Sequence, residues 1–184
     1  MTDKPRSSQG TIHQLNVSNG GVPKLPVGRA HVLLRGLEGD VQTDRKHHGG
    51  TDRALCLFSL DMINELAAEG HPIAAGNVGE NVTIKGLDWS LVTPGTRLKL
   101  GDEVLVEVTS YTQPCWKIAS WFLDGDFNRI NQNTYPGGSR VYVRVLEEGL
   151  LRSGDIVELL KESAANRVAR LQPSTIRWRP PDSN

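Results

Sequence analysis

The residues best suited to chemistry stand in one short run, Thr112-Gln113-Pro114-Cys115-Trp116-Lys117. Pro114 suits the first turn of a helix, because its missing N–H would find no intrahelical partner there. The run therefore predicts a helix beginning near Pro114, with Cys115 beside the positive end of its dipole and Lys117 close by. Both features favour thiolate over thiol. A thiolate is a nucleophile or a soft metal ligand. The competing reading is that Cys115, at helical spacing with Ile118, Ala119 and Phe122, is a small core hydrophobe. The other cysteine, Cys56, sits between leucines in an apolar run, where a thiol stays protonated. A disulfide between the two is not expected in a chain of 184 residues, which does not need the staple.

The densest polar stretch runs from Asp40 to Arg53 and includes His47-His48-Gly49-Gly50-Thr51-Asp52. Adjacent histidines lack the helical spacing of zinc pairs, and no second Cys or His cluster accompanies them, so structural zinc is rejected. The glycines would let the backbone approach an anionic ligand; the alternative is a polar loop whose aspartates pin its own turns. In Gly76-Asn77-Val78-Gly79-Glu80-Asn81, Glu80 and Asn81 either hold the edge of a heterocycle or tie two loops together. Asn19-Gly20-Gly21-Val22-Pro23-Lys24 lacks the spacing of a phosphate-binding P-loop. No dinucleotide fingerprint follows a strand, and no G-x-S-x-G is present to support a serine hydrolase.

The elements that must position these residues are mostly short and β-like. Ile12 to Val17, Ala30 to Arg35, Arg53 to Phe58, Glu103 to Val108, Arg140 to Val145 and Asp155 to Leu160 are predicted strands. Period-two alternation puts valines on one face of the fourth and fifth of these, with Arg140, Tyr142 and Arg144 on the opposite face of the fifth. One helix is predicted from Leu60, capped by Ser59, with Met62, Ile63, Leu66 and Ala67 as its buried stripe and Gly70 as its stop. A third short helix is expected over Asp126 to Asn131. Many short strands with few helices predict a mainly β fold, a closed β-barrel with a few short helices at its ends. Closure also removes the sheet edges that such a chain would expose. The expected organisation is a polar N-terminal segment over residues 1–10, the barrel over 11–162 and a tail over 163–184, in which Ile176 and Trp178 are the residues suited to docking.

Formal net charge is zero, with charges mixed along the chain, which argues against nucleic acid or an anionic membrane as partner. No apolar run is long enough to span a bilayer, and the N-terminus lacks the apolar stretch of a signal peptide. A cytoplasmic location is the resulting expectation.

The ordered set Gly39-Asp40-Val41-Gln42-Thr43-Asp44, His48-Gly49-Gly50-Thr51-Asp52-Arg53-Ala54, Gly76-x-x-Gly79-Glu80-Asn81, Pro114-Cys115-x-Lys117, Arg140-x-Tyr142 and Gly154-Asp155 resembles the MOSC domain family, named for the C-terminal domain of molybdenum cofactor sulfurase. The match runs from about Ile12 to Leu160 and is most similar to stand-alone bacterial members. The resemblance implies a barrel that binds the molybdenum cofactor, with Cys115 in the position of the metal ligand. Lys117 follows the family's basic position, and His48, Asp52 and Arg53 match its His-Gly-Gly-x-Asp-Arg motif. Glu80 and Asn81 match its Gly-Glu-Asn motif. Lys24, Arg53 and Arg140 are the expected anion partners of a phosphate-bearing pterin. Many members carry arginine shortly before the Pro-Cys pair; Thr112 and Gln113 stand there instead, leaving Gln113 as a hydrogen-bonding group for pterin or substrate.

The activity implied is reduction of N-hydroxylated small molecules such as hydroxylaminopurines, by abstraction of oxygen from an N–OH group. His48, Asp52 and Glu80 are the candidate acids. No flavin or iron–sulfur site is legible, so electrons are expected from a partner protein that carries one. The alternative is a carrier, with sulfur held on Cys115 as a persulfide or cofactor held without turnover. Pyridoxal phosphate belongs to the aminotransferase-like part of the sulfurases and is not expected here.

Overall fold

The computed structural model describes residues 7–41 and 50–160. His48, most of the polar N-terminal segment and the tail with Ile176 and Trp178 lie outside the described residues. Eleven strands are present among them: β1 (Gln9–Val17), β2 (Leu25–Val27), β3 (Arg29–Leu33), β4 (Gly36–Leu37), β5 (Leu55–Ser59), β6 (Val82–Lys85), β7 (Arg97–Leu100), β8 (Val104–Tyr111), β9 (Val141–Glu147), β10 (Gly149–Arg152) and β11 (Ile156–Leu160).

Seven of these close on themselves in the order β11-β7-β8-β9-β5-β6-β1, because β11 pairs with both β7 and β1. The expected closed barrel is therefore the fold. Strand β2 hangs on the outside of β1, and β10-β3-β4 form a small separate sheet. All barrel pairings are antiparallel except β5–β6. That parallel pair needs a crossover. Helix α1 (Leu60–Ala68) supplies it, capped by Ser59, whose Oγ accepts from the Met62 N–H at 3.3 Å. Gly70 ends the turn at φ 97°.

Alternation decides which side chains fill the barrel. In register, Leu55 faces Val143 and Leu57 faces Val141, and Val106 faces Val145. These residues are buried, together with Leu98, Leu100, Val104 and Val157 from the neighbouring strands. The intervening pair, Cys56 opposite Tyr142, must then face outward. The outer face of β5 is not left to water: Phe58 meets Trp89 edge-on at 6.4 Å, and both are buried, as are Ile63 and Leu66 of α1. A strand buried on both faces reads as an unbroken apolar run, as Leu55-Cys56-Leu57-Phe58 does.

Several expectations are corrected. Ala67 is exposed, so the buried stripe of α1 is narrower than its periodicity suggested. The helix expected at Pro114 is a six-residue 3-10 turn, Trp116–Trp121, and Cys115 is the residue that caps it rather than one inside it. So short a turn sums few peptide dipoles, which removes the helix dipole as an argument for the thiolate. The segment over Asp126 to Asn131 is likewise a 3-10 turn, Phe127–Ile130, capped by Asp126. Strands β2, β4, β6, β7 and β10 were not legible as strands: each is two to four residues long, too short for a period to show.

Leu57 is fully buried at the centre of the barrel wall. Leu57→Ala is expected to destabilise by about 2–5 kcal/mol, read as a lower urea midpoint at unchanged slope. Ala67→Ser, on the exposed side of α1, is expected to stay within about 0.5 kcal/mol of the parent.

Candidate functional site

A cavity of about 120 Å³ lies on the outside of the barrel, against the Cys56–Tyr142 pair, and the sequence-predicted Lys24, Arg53, Asn81, Gln113, Cys115, Lys117 and Arg140 all line it. Three loops roof it: residues 18–24 after β1, residues 76–81 before β6, and residues 112–118 after β8. Apolar wall comes from Val22, Val78 and Ile118. Four basic residues line the cavity and no carboxylate does, among the described residues.

Each loop is held by a specific bond. The Thr112 N–H donates to the Arg140 carbonyl at 3.0 Å, tying the segment before Cys115 to the start of β9. The Ile118 N–H donates to the Cys115 carbonyl at 3.1 Å, which turns the chain so that Cys115, Lys117 and Ile118 all reach the cavity. Cys115 is half-buried there, so the reading of it as a sealed core hydrophobe does not hold.

The loop before β6 works by close approach. Gly79 has φ 87°, and a Cβ there would stand 2.9 Å from Val22 Cγ1 and 3.9 Å from Arg140 Nη1. A Cβ on Gly76 would stand 2.4 Å from the Lys24 carbonyl oxygen. Only glycine lets the two loops meet. Asn81 then joins three elements. Its N–H donates to the Cys56 carbonyl at 2.7 Å, and its Oδ1 accepts from the Cys56 N–H at 3.1 Å. Its Nδ2 donates to Asp40 Oδ2 at 2.9 Å and to the Asn16 carbonyl at 3.3 Å. The amide of Asn81 is thus used within the protein, and of its two expected roles the tie between loops is the one present.

Glu80 is also a tie. It is fully buried and is not part of the cavity wall; its Oε1 accepts from the Gly76 N–H at 2.6 Å and from Thr83 Oγ1 at 3.0 Å. Burial raises its carboxyl above the usual range, with the Gly76 hydrogen bond opposing. An acid meant for a cavity ligand has to face it, and Glu80 does not. Asp52 does not either: its carboxylate is exposed on the outer surface, 3.5 Å from Arg144 Nη2. Its neighbour Arg53 does line the cavity, with its guanidinium carbon 5.6 Å from the centre of the Tyr142 ring. Lys24 lines the wall with its ammonium paired to Asp40, whose other oxygen accepts from the Ser18 N–H at 2.9 Å.

Arg140 is the unusual group. Its side chain is buried, Nη1 donates to the Val78 carbonyl, and Nε has no partner among the described residues. No carboxylate of those residues forms an ion pair with it. The guanidinium acts electrostatically on the buried Glu80 carboxyl without pairing to it, and an anion in the cavity would offset the cost of burying a guanidinium so placed. Two lining residues were not singled out for chemistry by the sequence. Cys56 reaches the cavity as well as the barrel wall, and burial pushes its thiol up to about 11, the nearby Arg140 guanidinium opposing. Tyr142 lines the cavity, and burial pushes its phenol well above the usual range. Alternation in β9 already placed Tyr142 on the face of Arg140; nothing in sequence showed that Cys56 shares it.

Iodoacetamide at pH 8 is expected to label Cys115 in the folded protein and leave Cys56 unmodified, as peptide mapping would read. Equal labelling of the two would contradict the site described. The raised Cys56 thiol also sets a pH dependence. Below pH 9 folded and unfolded chains both keep the proton. Above it the unfolded chain ionises first, so stability falls until the folded thiol titrates near 11. Cys56→Ala should remove about 2–3 kcal/mol of that alkaline loss in urea titrations at pH 8 and 11.

Comparison with known proteins identifies the family. A family model described as the MOSC domain matches residues 44–158. YflK of Bacillus subtilis is 36% identical over 76% of this chain and 63% of its own length, so the chain spans a little under two thirds of that relative. YiiM of Escherichia coli is 32% identical over 92% of this chain and 80% of its own length. A protein of Gibberella moniliformis named a reductase is 34% identical over 62% of this chain but only 21% of its own length. The crystal structure of YiiM from Geobacillus stearothermophilus superposes with a TM-score of 0.67 at 28% identity, covering 84% of this chain and 77% of that one. The closed barrel, the Pro-Cys cavity on its outer wall and these matches together place the chain in the MOSC domain family.

Proposed function

We propose that this chain binds the molybdenum cofactor in the cavity, with Cys115 as the metal ligand, and reduces N-hydroxylated small molecules such as hydroxylaminopurines in the cytoplasm. The observation that carries the reading is Arg140, a buried guanidinium with an unpartnered Nε, lining the same cavity as a half-buried cysteine. One wall offers a soft sulfur donor and the other an anion site. A metal held on a phosphate-bearing organic group needs both. The MOSC family is related to molybdenum cofactor sulfurase, and one relative over this region is named a reductase, which supports the same reading.

The residues present fit the group. Cys115 supplies the thiolate. Arg140 and Arg53 supply positive charge, while Lys24 is partly neutralised by Asp40. The glycine cradle at Gly79 leaves the ligand a close approach to Arg140. The cavity is small, so it takes one end of a large ligand, and the remainder lies across the mouth beside exposed Gln113 and Lys117. When bound, the cofactor supplies the two-electron redox chemistry. The protein's part is to hold it, to set the charge around it and to orient an N–OH group before Cys115. Electrons come from a partner protein carrying flavin or an iron–sulfur centre.

Protein made in cells that synthesise the cofactor is expected to carry about one molybdenum per chain, and Cys115→Ser to lose both the metal and N-reduction. Arg140→Met should retain the fold and lose cofactor on gel filtration at least about tenfold faster. Loaded protein whose turnover does not depend on Cys115 would overturn the ligand assignment. A cyanide-labile sulfur adduct on Cys115 without molybdenum would instead identify a sulfur carrier.

A further inference from the structure

Reduction of an N–OH group is helped by a hydrogen-bond donor at the departing oxygen. Of the acids expected from sequence, Asp52 faces Arg144 on the outer surface and Glu80 is bound within its own loop. His48 lies outside the described residues. The cavity wall itself carries Tyr142. We propose that Tyr142 is the hydrogen-bond donor to the N–OH oxygen of a substrate held in front of Cys115. This assignment rests on the functional reading above and adds a catalytic residue to it.

The placement is rigid. Tyr142 lies in β9 with neighbours on both sides, opposite Cys56 in β5 and Ser110 in β8. Its Cα position is therefore set by two ladders, which suits a group that must meet a reacting atom. The Arg53 guanidinium lies over its ring, and Arg140 stands two residues before it on the same face. The Tyr142 side chain lines the same cavity as Cys56 and Cys115. A tyrosine phenol keeps its proton at neutral pH, so it can donate a hydrogen bond without losing that proton. Of the two lysines on the wall, Lys24 is engaged by Asp40 and Lys117 is exposed on a flexible stem.

The reaction balances without a proton from Tyr142. R–NH–OH takes up two electrons and two protons and gives R–NH2 and water. The N–O bond breaks, the oxygen leaves in the water, the electrons come from the flavin or iron–sulfur donor, and both protons come from solvent. Tyr142 holds a hydrogen bond to the oxygen while charge grows on it.

Tyr142→Phe keeps the ring under Arg53 and is expected to fold normally. In cofactor-loaded protein it should lower kcat by roughly 100-fold and change KM by less than about threefold. A second readout needs no turnover. In oxidised protein without an electron donor, calorimetry should show the wild type binding 6-hydroxylaminopurine about fivefold more tightly than adenine, and Tyr142→Phe binding the two alike. Wild-type kcat in Tyr142→Phe, a preference unchanged by the substitution, or no preference in the wild type would each overturn the assignment. Absence of molybdenum and of N-reduction in the wild type is a separate result, and it overturns the parent reading instead.

Discussion

The pairing of β5 with β9 is the constraint on which the rest depends. With Leu55 opposite Val143 and Leu57 opposite Val141, those four side chains fill the barrel, and the pair between them has to point the other way. A shift of β9 by one residue would bring Arg140 and Tyr142 into the barrel beside Leu55 and Leu57 and turn Val141, Val143 and Val145 out. Register is therefore strongly specified by the core, and the site inherits that precision. Cys56, Tyr142 and Arg140 are placed by packing they do not take part in. The site lies on the wall of the barrel, not in its mouth, because the interior is filled with aliphatic side chains.

Three loops then turn an outer wall into a cavity. Gly76 and Gly79 allow backbone and side chains from the 18–24 loop to come within contact, and Asn81 bonds to β5, to Asn16 and to Asp40 at once. Buried polar groups of this kind are costly unless satisfied, and here Asn81 and Asp40 satisfy each other. The result is a frame with little freedom on the side of Lys24 and Asn81. Arg140 lines the cavity with a buried guanidinium whose Nε, like Glu80 Oε2 and Thr112 Oγ1, has no partner among the described residues. Binding of an anion there would stabilise the folded state by mass action, so ligand occupancy and stability are linked through one guanidinium.

The electrostatics follow from the same layout. Lys24, Arg53, Lys117 and Arg140 converge on one cavity in a chain whose net charge is zero. Overall charge was thus a poor guide to local potential, because charge balance over the whole surface places no limit on what one cleft collects. Burial sets the two protic groups next to Cys115, the Cys56 thiol and the Tyr142 phenol, firmly in their neutral forms. The cavity thereby presents cations and neutral donors, an environment suited to an anionic ligand.

The amino-acid sequence alone determined the barrel, the helix capped by Ser59 and the alternation of β8 and β9, since a period of two over five or more residues reports one buried face. It also singled out the ordered motifs, most of which send a residue to one cavity, and so the family. It could not reveal β2, β4, β6, β7 or β10, each two to four residues long and too short for a period to show. Nor could it separate residues that line the cavity from those that build it. Glu80 and Asn81 are adjacent in one motif, yet Glu80 faces Gly76 and Asn81 bridges β5 to Asp40. Asp52 and Arg53 are adjacent too, and only Arg53 reaches the cavity. Which way a side chain points is decided by register and by the neighbours it meets. Those are properties of strands brought together across the whole chain, and only the tertiary structure carries them.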